Sequence, residues 1–271
     1  MKNIYRPVEG AIQSIIAETA AIKTFRLKLK EEFSFCTGQF VEMTVPGAGE
    51  AAFTPSSDPA VKDWLELTIM KAGLVTAKLH TLREGDSLGI RGPFGRGYPL
   101  EKFAGKDILI VGGGVGLAPL RSLLFSLFSR MGDYRKIILR YGALTPADIV
   151  YKSLIPEWSG KEKVDLRLTV DITDPSWGGN VGLVTTILND LPLEVSNAVA
   201  VVCGPPIMMK FVTLKLLDLG FLPPQIYLSM EKNMSCGLGK CGHCRIGKYY
   251  ACKDGPVFTY EELRDVHDIW D

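Results

Sequence analysis

The sequence predicts a small β-barrel, then a doubly wound α/β domain, then a short cysteine-rich segment at the carboxyl end. Three observations carry this expectation. Short apolar runs separated by Gly and Pro turns fill the first part of the chain, strand–helix alternation follows, and four of the six cysteines crowd between Cys236 and Cys252. The boundaries fall at 1–100, 101–225 and 226–271.

A chain of 271 residues is long enough for two ordinary domains and a small appendage. Hydrophobic residues at 46% and charged residues at 23% are a globular composition. The 31 Lys and Arg nearly cancel the 30 Asp and Glu, so charge gives no reason to expect nucleic acid or an anionic membrane as partner. No apolar run reaches the roughly 18–20 residues of a membrane span. Met1 to Gly10 lacks the pattern of a cleaved signal peptide, and a cytoplasmic location is expected.

In the barrel, strands are expected at Ala11–Ala17, Ile22–Leu29, Gln39–Val45, Leu65–Met70 and Ser87–Ile90, with one helix at Val75–Leu82. Gly38, Pro46-Gly47, Gly85 and Gly92-Pro93 mark the turns. The second domain is expected to run strand Asp107–Val111, helix Ala118–Met131, strand Lys136–Tyr141, helix Ala147–Leu154 and strand Val164–Val170. A helix at Val184–Leu188, strand Ala198–Cys203 and helix Met208–Leu219 complete it. Repeated βα units of this kind build a parallel sheet that binds ligands at the carboxyl ends of its strands.

Cys236, Cys241, Cys244 and Cys252 have the spacing C-x4-C-x2-C-x7-C, the plant-type [2Fe–2S] pattern. Gly237, Gly239 and Gly242 suit a loop whose amides must face sulfur at close range. A structural zinc site would use the same four thiolates, but zinc sites favour paired C-x2-C units and only one is present. His243 lies inside the loop; a Rieske-type role would need two histidines, so it is expected at the cluster rim.

The strand ending at Val111 runs into Gly112-Gly113-Gly114-Val115-Gly116, which opens a helix. Amides at such a helix start meet a pyrophosphate, although the motif alone also fits a tight βα connection. Cys203-Gly204-Pro205-Pro206 ends a strand at the same edge; Cys203 is either a site residue or a buried core thiol. No Ser–His–Asp set or pair of catalytic acids appears, and His80 reads as structural.

Taken together, the barrel, Gly113-Gly114-Val115-Gly116-Leu117-Ala118-Pro119, Cys203-Gly204-Pro205-Pro206 and the terminal cysteines resemble the ferredoxin–NADP reductase superfamily over essentially the whole chain. Within it, the chain is similar to the flavin subunits of sulfhydrogenases, anaerobic sulfite reductase and the dihydroorotate dehydrogenase electron-transfer chain. The run Asp254 to Glu262 places it beside the first two.

The resemblance implies FAD in the barrel, with Phe53 on the flavin and Thr54 and Ser57 bonded near its ring or ribityl chain. Pro55, Ser56, Thr68, Ile69 and Met70 complete that lining, and Gly73, Leu74, Val75 and Thr76 hold the pyrophosphate. Arg91 to Gly95 matches the segment that ends the barrel under the flavin, while Ala51 stands where relatives carry a phosphate-pairing arginine. The nicotinamide nucleotide is implied over Gly113, Gly114, Val115, Gly116, Ala118 and Pro119. Cys203, as catalytic residue, then lies by the nicotinamide with Gly204 and Pro205. Leu144 and Ile172 replace basic residues common in relatives, which favours NAD(H) over NADP(H). Asp171 suits either a ribose contact or a turn cap.

The function so implied is transfer of electrons between NAD(P)H and a partner redox protein through FAD and a [2Fe–2S] cluster, in either direction. The partner would be a hydrogenase-like, sulfite-reducing or other iron–sulfur subunit. Two alternatives remain at this stage: an electron conduit or assembly subunit that binds no nucleotide, and a zinc-stabilised regulatory protein.

Overall fold

The computed structural model describes residues 3–270. Met1, Lys2 and Asp271, which the sequence reading includes in its first and last segments, lie outside the described residues. The chain forms two compact units. The first comprises Met1–Tyr98, Arg121–Ser126 and Met230–Val257, and the second Pro99–Leu120, Leu127–Ser229 and Phe258–Asp271.

The first unit is built on a six-stranded antiparallel sheet. Its strands are β1 (Val8–Ala17), β2 (Ile22–Leu29), β3 (Phe40–Val45), β4 (Gly49–Phe53), β5 (Leu65–Met70) and β6 (Ser87–Phe94), in the order β4-β3-β6-β1-β2-β5. Phe25, Leu27, Val41, Met43, Leu67 and Ile90 are fully buried in its core. Helix α1 (Leu74–Leu79) packs against β3 and β4. His80 lies at the end of that helix, with its Nε2 3.0 Å from the Ile69 carbonyl and its ring edge-on to Phe25, as a structural histidine should. Burial lowers its pKa.

The second unit carries β7 (Asp107–Gly113), α2 (Leu117–Ser129), β8 (Lys136–Ala143), α3 (Ile155–Ser159), β9 (Val164–Val170), β10 (Asn180–Val181), β11 (Ala198–Cys203), α4 (Pro206–Asp218) and β12 (Ile226–Ser229). The sheet order is β10-β9-β8-β7-β11-β12, and β7, β8, β9 and β11 pair in parallel. Every residue of β7 and β11 is buried, as expected for strands covered on both faces. After β12 come β13 (Arg245–Ile246), β14 (Tyr249–Tyr250), α5 (Ala251–Asp254), β15 (Val257–Thr259), which joins the sheet beyond β12, and α6 (Tyr260–Leu263).

The structure corrects several elements. The helix expected at Ala147–Leu154 is absent. A single 3₁₀ turn at Pro146–Asp148 is closed by a capping box between Thr145 and Asp148; Tyr151 then turns left-handed at φ 56° and the helix starts only at Ile155. Val184–Leu188 is also 3₁₀ rather than α. Gly49–Phe53 is a strand that the sequence hid, because Gly, Glu and two Ala carry no β-branched signal. Ile226–Ser229, read as the start of the terminal segment, is a sheet strand paired with β11.

Candidate functional site

Between Met230 and Val257 the first unit has little regular structure, and the four cysteines organise it. Cys244 and Cys252 are buried with their sulfurs 3.1 Å apart. Cys236 and Cys241 form the other pair, bonded through both the thiol and the amide of Cys241. Backbone amides face the sulfurs: Leu238 and Lys240 donate to Cys236 Sγ at 3.3 and 3.4 Å, and Gly239 donates to Cys252 Sγ at 3.0 Å. Gly237 makes this possible. Its φ is +72°, and a Cβ there would come within 2.9 Å of the Phe94 ring.

Burial works against the Cys236 thiolate, but the amides of Leu238, Cys241 and Lys240 and the Cys241 thiol outweigh it and bring its pKa down to about 6. Burial and the Cys244 thiol push Cys252 up to about 12. Among the described residues no three His, Cys, Asp or Glu side chains gather around one point as a single metal ion requires. Two thiol pairs, each able to take one iron, fit a two-iron cluster. His243 is exposed and its Nδ1 lies 2.9 Å from the Ser235 hydroxyl, outside the thiol pairs.

The barrel strip begins where β4 ends. Phe53 and Thr54 are half-buried, and Pro55, Ser56 and Ser57 are buried. Ser56 is tied to β5: its amide donates to the Glu66 carbonyl at 2.8 Å, and its hydroxyl lies 3.0 Å from that of Thr68. Thr68 in turn meets Thr24 at 2.8 Å. The Ser57 hydroxyl, by contrast, is buried without a hydrogen-bond partner. Ile69 is buried and Met70 exposed. At the start of α1, Thr76 caps its own turn by accepting from the Ala72 and Gly73 amides at 2.9 and 2.8 Å. That hydroxyl is engaged locally, leaving the first-turn amides of α1 for a ligand. A half-buried ring, an orphaned buried hydroxyl and these amides fit a flavin nucleotide.

In the second unit, Gly113 ends β7, and Gly114 to Gly116 turn into α2, which holds Ala118 and Pro119 in its first turn. A Cβ on Gly116 would lie 2.5 Å from the Cys203 carbonyl oxygen and 2.7 Å from the Gly204 Cα, so the turn rests directly on the end of β11. This brings Gly113–Pro119 together with Cys203, Gly204 and Pro205. Cys203 is 7% exposed and Pro205 exposed. The hydroxyl of Tyr141 on β8 donates to the Gly114 carbonyl at 3.0 Å, a brace on the turn that sequence reasoning missed. A glycine turn with no room for a Cβ at Gly113 or Gly116, leading from a strand end into a helix, fits a dinucleotide pyrophosphate. Leu144 and Ile172 are exposed neighbours at the ends of β8 and β9, joined by the Ile172 amide donating to the Leu144 carbonyl at 2.8 Å. Burial raises the pKa of Asp171 beside them.

A further group went unread. Arg91 on β6 is 6% exposed and makes a two-pronged ion pair with Glu50, Nε to Oε1 at 2.9 Å and Nη2 to Oε2 at 2.7 Å. Glu42 on β3, the ladder partner of Arg91, is fully buried and neither of its carboxyl oxygens has a partner. Burial drives its pKa up to about 7 against the pull of Arg91. The signal was a lone acid inside an apolar run.

Residues 10–98 match the oxidoreductase FAD-binding domain, 110–213 the oxidoreductase NAD-binding domain, and 231–264 the iron–sulfur cluster binding domain of dihydroorotate dehydrogenase B. Sulfhydrogenase 2 subunit gamma of Pyrococcus furiosus is 37% identical over 279 residues, covering 95% of this chain and 96% of the relative. Sulfhydrogenase 1 subunit gamma of the same organism is 37% identical over 257 residues, covering 92% and 88%. Among solved structures, an NADH-dependent reduced ferredoxin-NADP oxidoreductase superposes with TM-score 0.75 at 26% identity, over 94% of this chain and 89% of that one. A ferredoxin NADP+ reductase from Neisseria gonorrhoeae shares the fold with TM-score 0.71 at 22% identity, over 82% and 98%. The chain therefore belongs to the ferredoxin–NADP reductase superfamily, among the electron-transfer subunits that join FAD-, NAD- and iron–sulfur-binding domains in one polypeptide.

Proposed function

We propose that this chain is the electron-input subunit of a larger redox complex, passing electrons between NAD(H) and a partner iron–sulfur protein. The observation that carries this reading is the pair of thiol pairs with amides aimed at sulfur, in a chain that also holds a nucleotide turn. The bound groups would supply hydride acceptance at FAD and single-electron acceptance at a [2Fe–2S] cluster. The chain's own residues bind and orient. Cys236, Cys241, Cys244 and Cys252 ligate the cluster. Phe53 to Ser57, with Thr68 to Met70, the Gly73 turn and the amides of Leu74 to Thr76, hold the flavin. Gly113 to Pro119 seat the pyrophosphate, and Cys203, Gly204 and Pro205 fix the nicotinamide end.

The exposed apolar pair Leu144 and Ile172 offers no cation to a 2′-phosphate, which supports NADH as the nucleotide. The partner fits a hydrogenase-like, sulfite-reducing or similar subunit, because both gamma subunits named above belong by name to sulfhydrogenases. No described helix is long and apolar enough to cross a membrane, and the proposed setting is the cytoplasm. The test is the visible spectrum of anaerobically purified protein before and after stoichiometric NADH, then NADPH. Flavin and iron–sulfur absorbance bleached by NADH is the expected result. A coloured protein indifferent to both nucleotides would leave only an electron conduit, and a colourless, zinc-loaded protein would sink the reading.

A further inference from the structure

Strand β6 grips the cluster loop with two side chains. The Phe94 ring lies against Gly237, where there is no room for a Cβ. Arg91 reaches the loop backbone from the barrel, with Nη1 3.3 Å from the Cys236 carbonyl and Nη2 3.4 Å from the Ser235 carbonyl. These contacts are at the long end of hydrogen bonding, yet both come from one charged guanidinium, whose single positive charge strengthens them. The guanidinium lies 5.6 Å from the Phe94 ring centroid, so the two side chains support one another. Further along, the Arg96 amide donates to the Gly255 carbonyl, and Gln39 Nε2 donates to the Gly95 carbonyl at 3.0 Å. The stretch from Arg91 to Arg96 therefore holds both ends of the cysteine segment.

A buried arginine needs its charge paired and its donors filled, and the Glu50 ion pair meets the first need while occupying only two of five N–H groups. The arrangement here does more. Glu42, the ladder partner of Arg91, is left unbonded, while the guanidinium is turned through Glu50 toward the carbonyls of residues 235 and 236.

We propose that Arg91 is a positioning residue for the iron–sulfur centre: anchored by Glu50, it fixes the Cys236 arm of the loop and sets a permanent positive charge beside it. This rests on the cluster reading given above. Reduction adds negative charge to a cluster, and its potential responds to nearby charge and to hydrogen bonds around its ligands. The Arg91 charge therefore favours the reduced form and raises the midpoint potential.

The experiment uses the full chain, loaded anaerobically, as wild type, Arg91→Lys, Arg91→Gln and Glu50→Gln. Iron and sulfide content, the electron paramagnetic resonance spectrum of the dithionite-reduced protein and the cluster midpoint potential are measured for each. The expected result is a more negative potential and an altered spectrum in Arg91→Gln, with the potential largely restored in Arg91→Lys. Glu50→Gln should move the potential the opposite way, because an anion is lost and the cation stays. Wild-type potential and spectrum in Arg91→Gln would overturn the proposal. If that variant does not fold or load, Glu50→Gln decides, and an unchanged cluster signature there overturns it equally. Wild-type protein that binds no iron or sulfide would instead remove the cluster reading itself, an outcome distinct from a loaded cluster indifferent to Arg91.

Discussion

The nucleotide turn after β7 and the cysteine segment from Met230 to Val257 are both glycine-rich loops, but they are made in different ways. The turn is squeezed between fully buried strands, and Gly116 touches the end of β11, so protein packing alone shapes it. The cysteine segment has only two-residue strands and a single four-residue helix, and its buried centre is a pair of thiols. Its shape depends on sulfur chemistry and on what β6 holds in place. Under the proposed function, one site is prepared before its ligand arrives, whereas the other would be completed by it.

The sharpest way to break that contrast is Cys244→Ser. We expect iron content to fall to near zero and the segment to become a preferred site of limited proteolysis, while the second unit keeps its protection. Equal loss of protection in both units would show that the turn, too, depends on the cluster.

Glu42→Gln probes the seat of the segment. The wild-type carboxyl, with its pKa raised from 4.5 to about 7, keeps its proton in the folded state while the unfolded chain has released it. Its contribution is therefore favourable at low pH and fades as pH rises through 4.5 to 7. Glutamine does not titrate. Relative to the variant, wild type should lose up to about 3 kcal/mol across that window and then level off, read from denaturation midpoints at a series of pH values. A parallel pair of curves would place Glu42 in contact with water.

Gly116→Ala tests the turn in its cluster-loaded form. With backbone atoms on the facing side there is no flexible side chain to yield, and a loss of about 2 kcal/mol with weaker nucleotide binding is expected, measured by thermal unfolding and titration. The smallest effect belongs to Leu144→Arg with Ile172→Arg. A 2′-phosphate gains an exposed cation pair, and the ratio of NADPH to NADH affinity should rise about fivefold, worth about 1 kcal/mol.

How legible these regions were follows from the same contrast. The parallel strands β7, β8, β9 and β11 were read to within two residues, whereas the short parallel strands β10 and β12 were missed. In β7 and β11 burial on both faces leaves unbroken apolar runs such as Ile108–Val111 and Val199–Val202. That the four thiols gather was legible from their spacing, since all lie within seventeen residues. Arg91, Glu50 and Glu42 were not, because each sits on a different strand and only ladder register brings them together. The false helix at Ala147–Leu154 had good helix formers at Ala147 and Leu154, and a backbone reversal at Tyr151 overrode them.

The pairing of β7 with β11 also has a kinetic side. Asp107 to Gly112 align with Ala198 to Cys203, partners that stand far apart along the chain, with β8 and β9 between them in sequence. The barrel hairpin of β1 and β2, by comparison, closes over a short turn. Loop closure disfavours distant partners, so during refolding the Gly116–Cys203 contact should appear after the hairpins. The ability to bind nucleotide would then be among the last properties a newly made chain acquires.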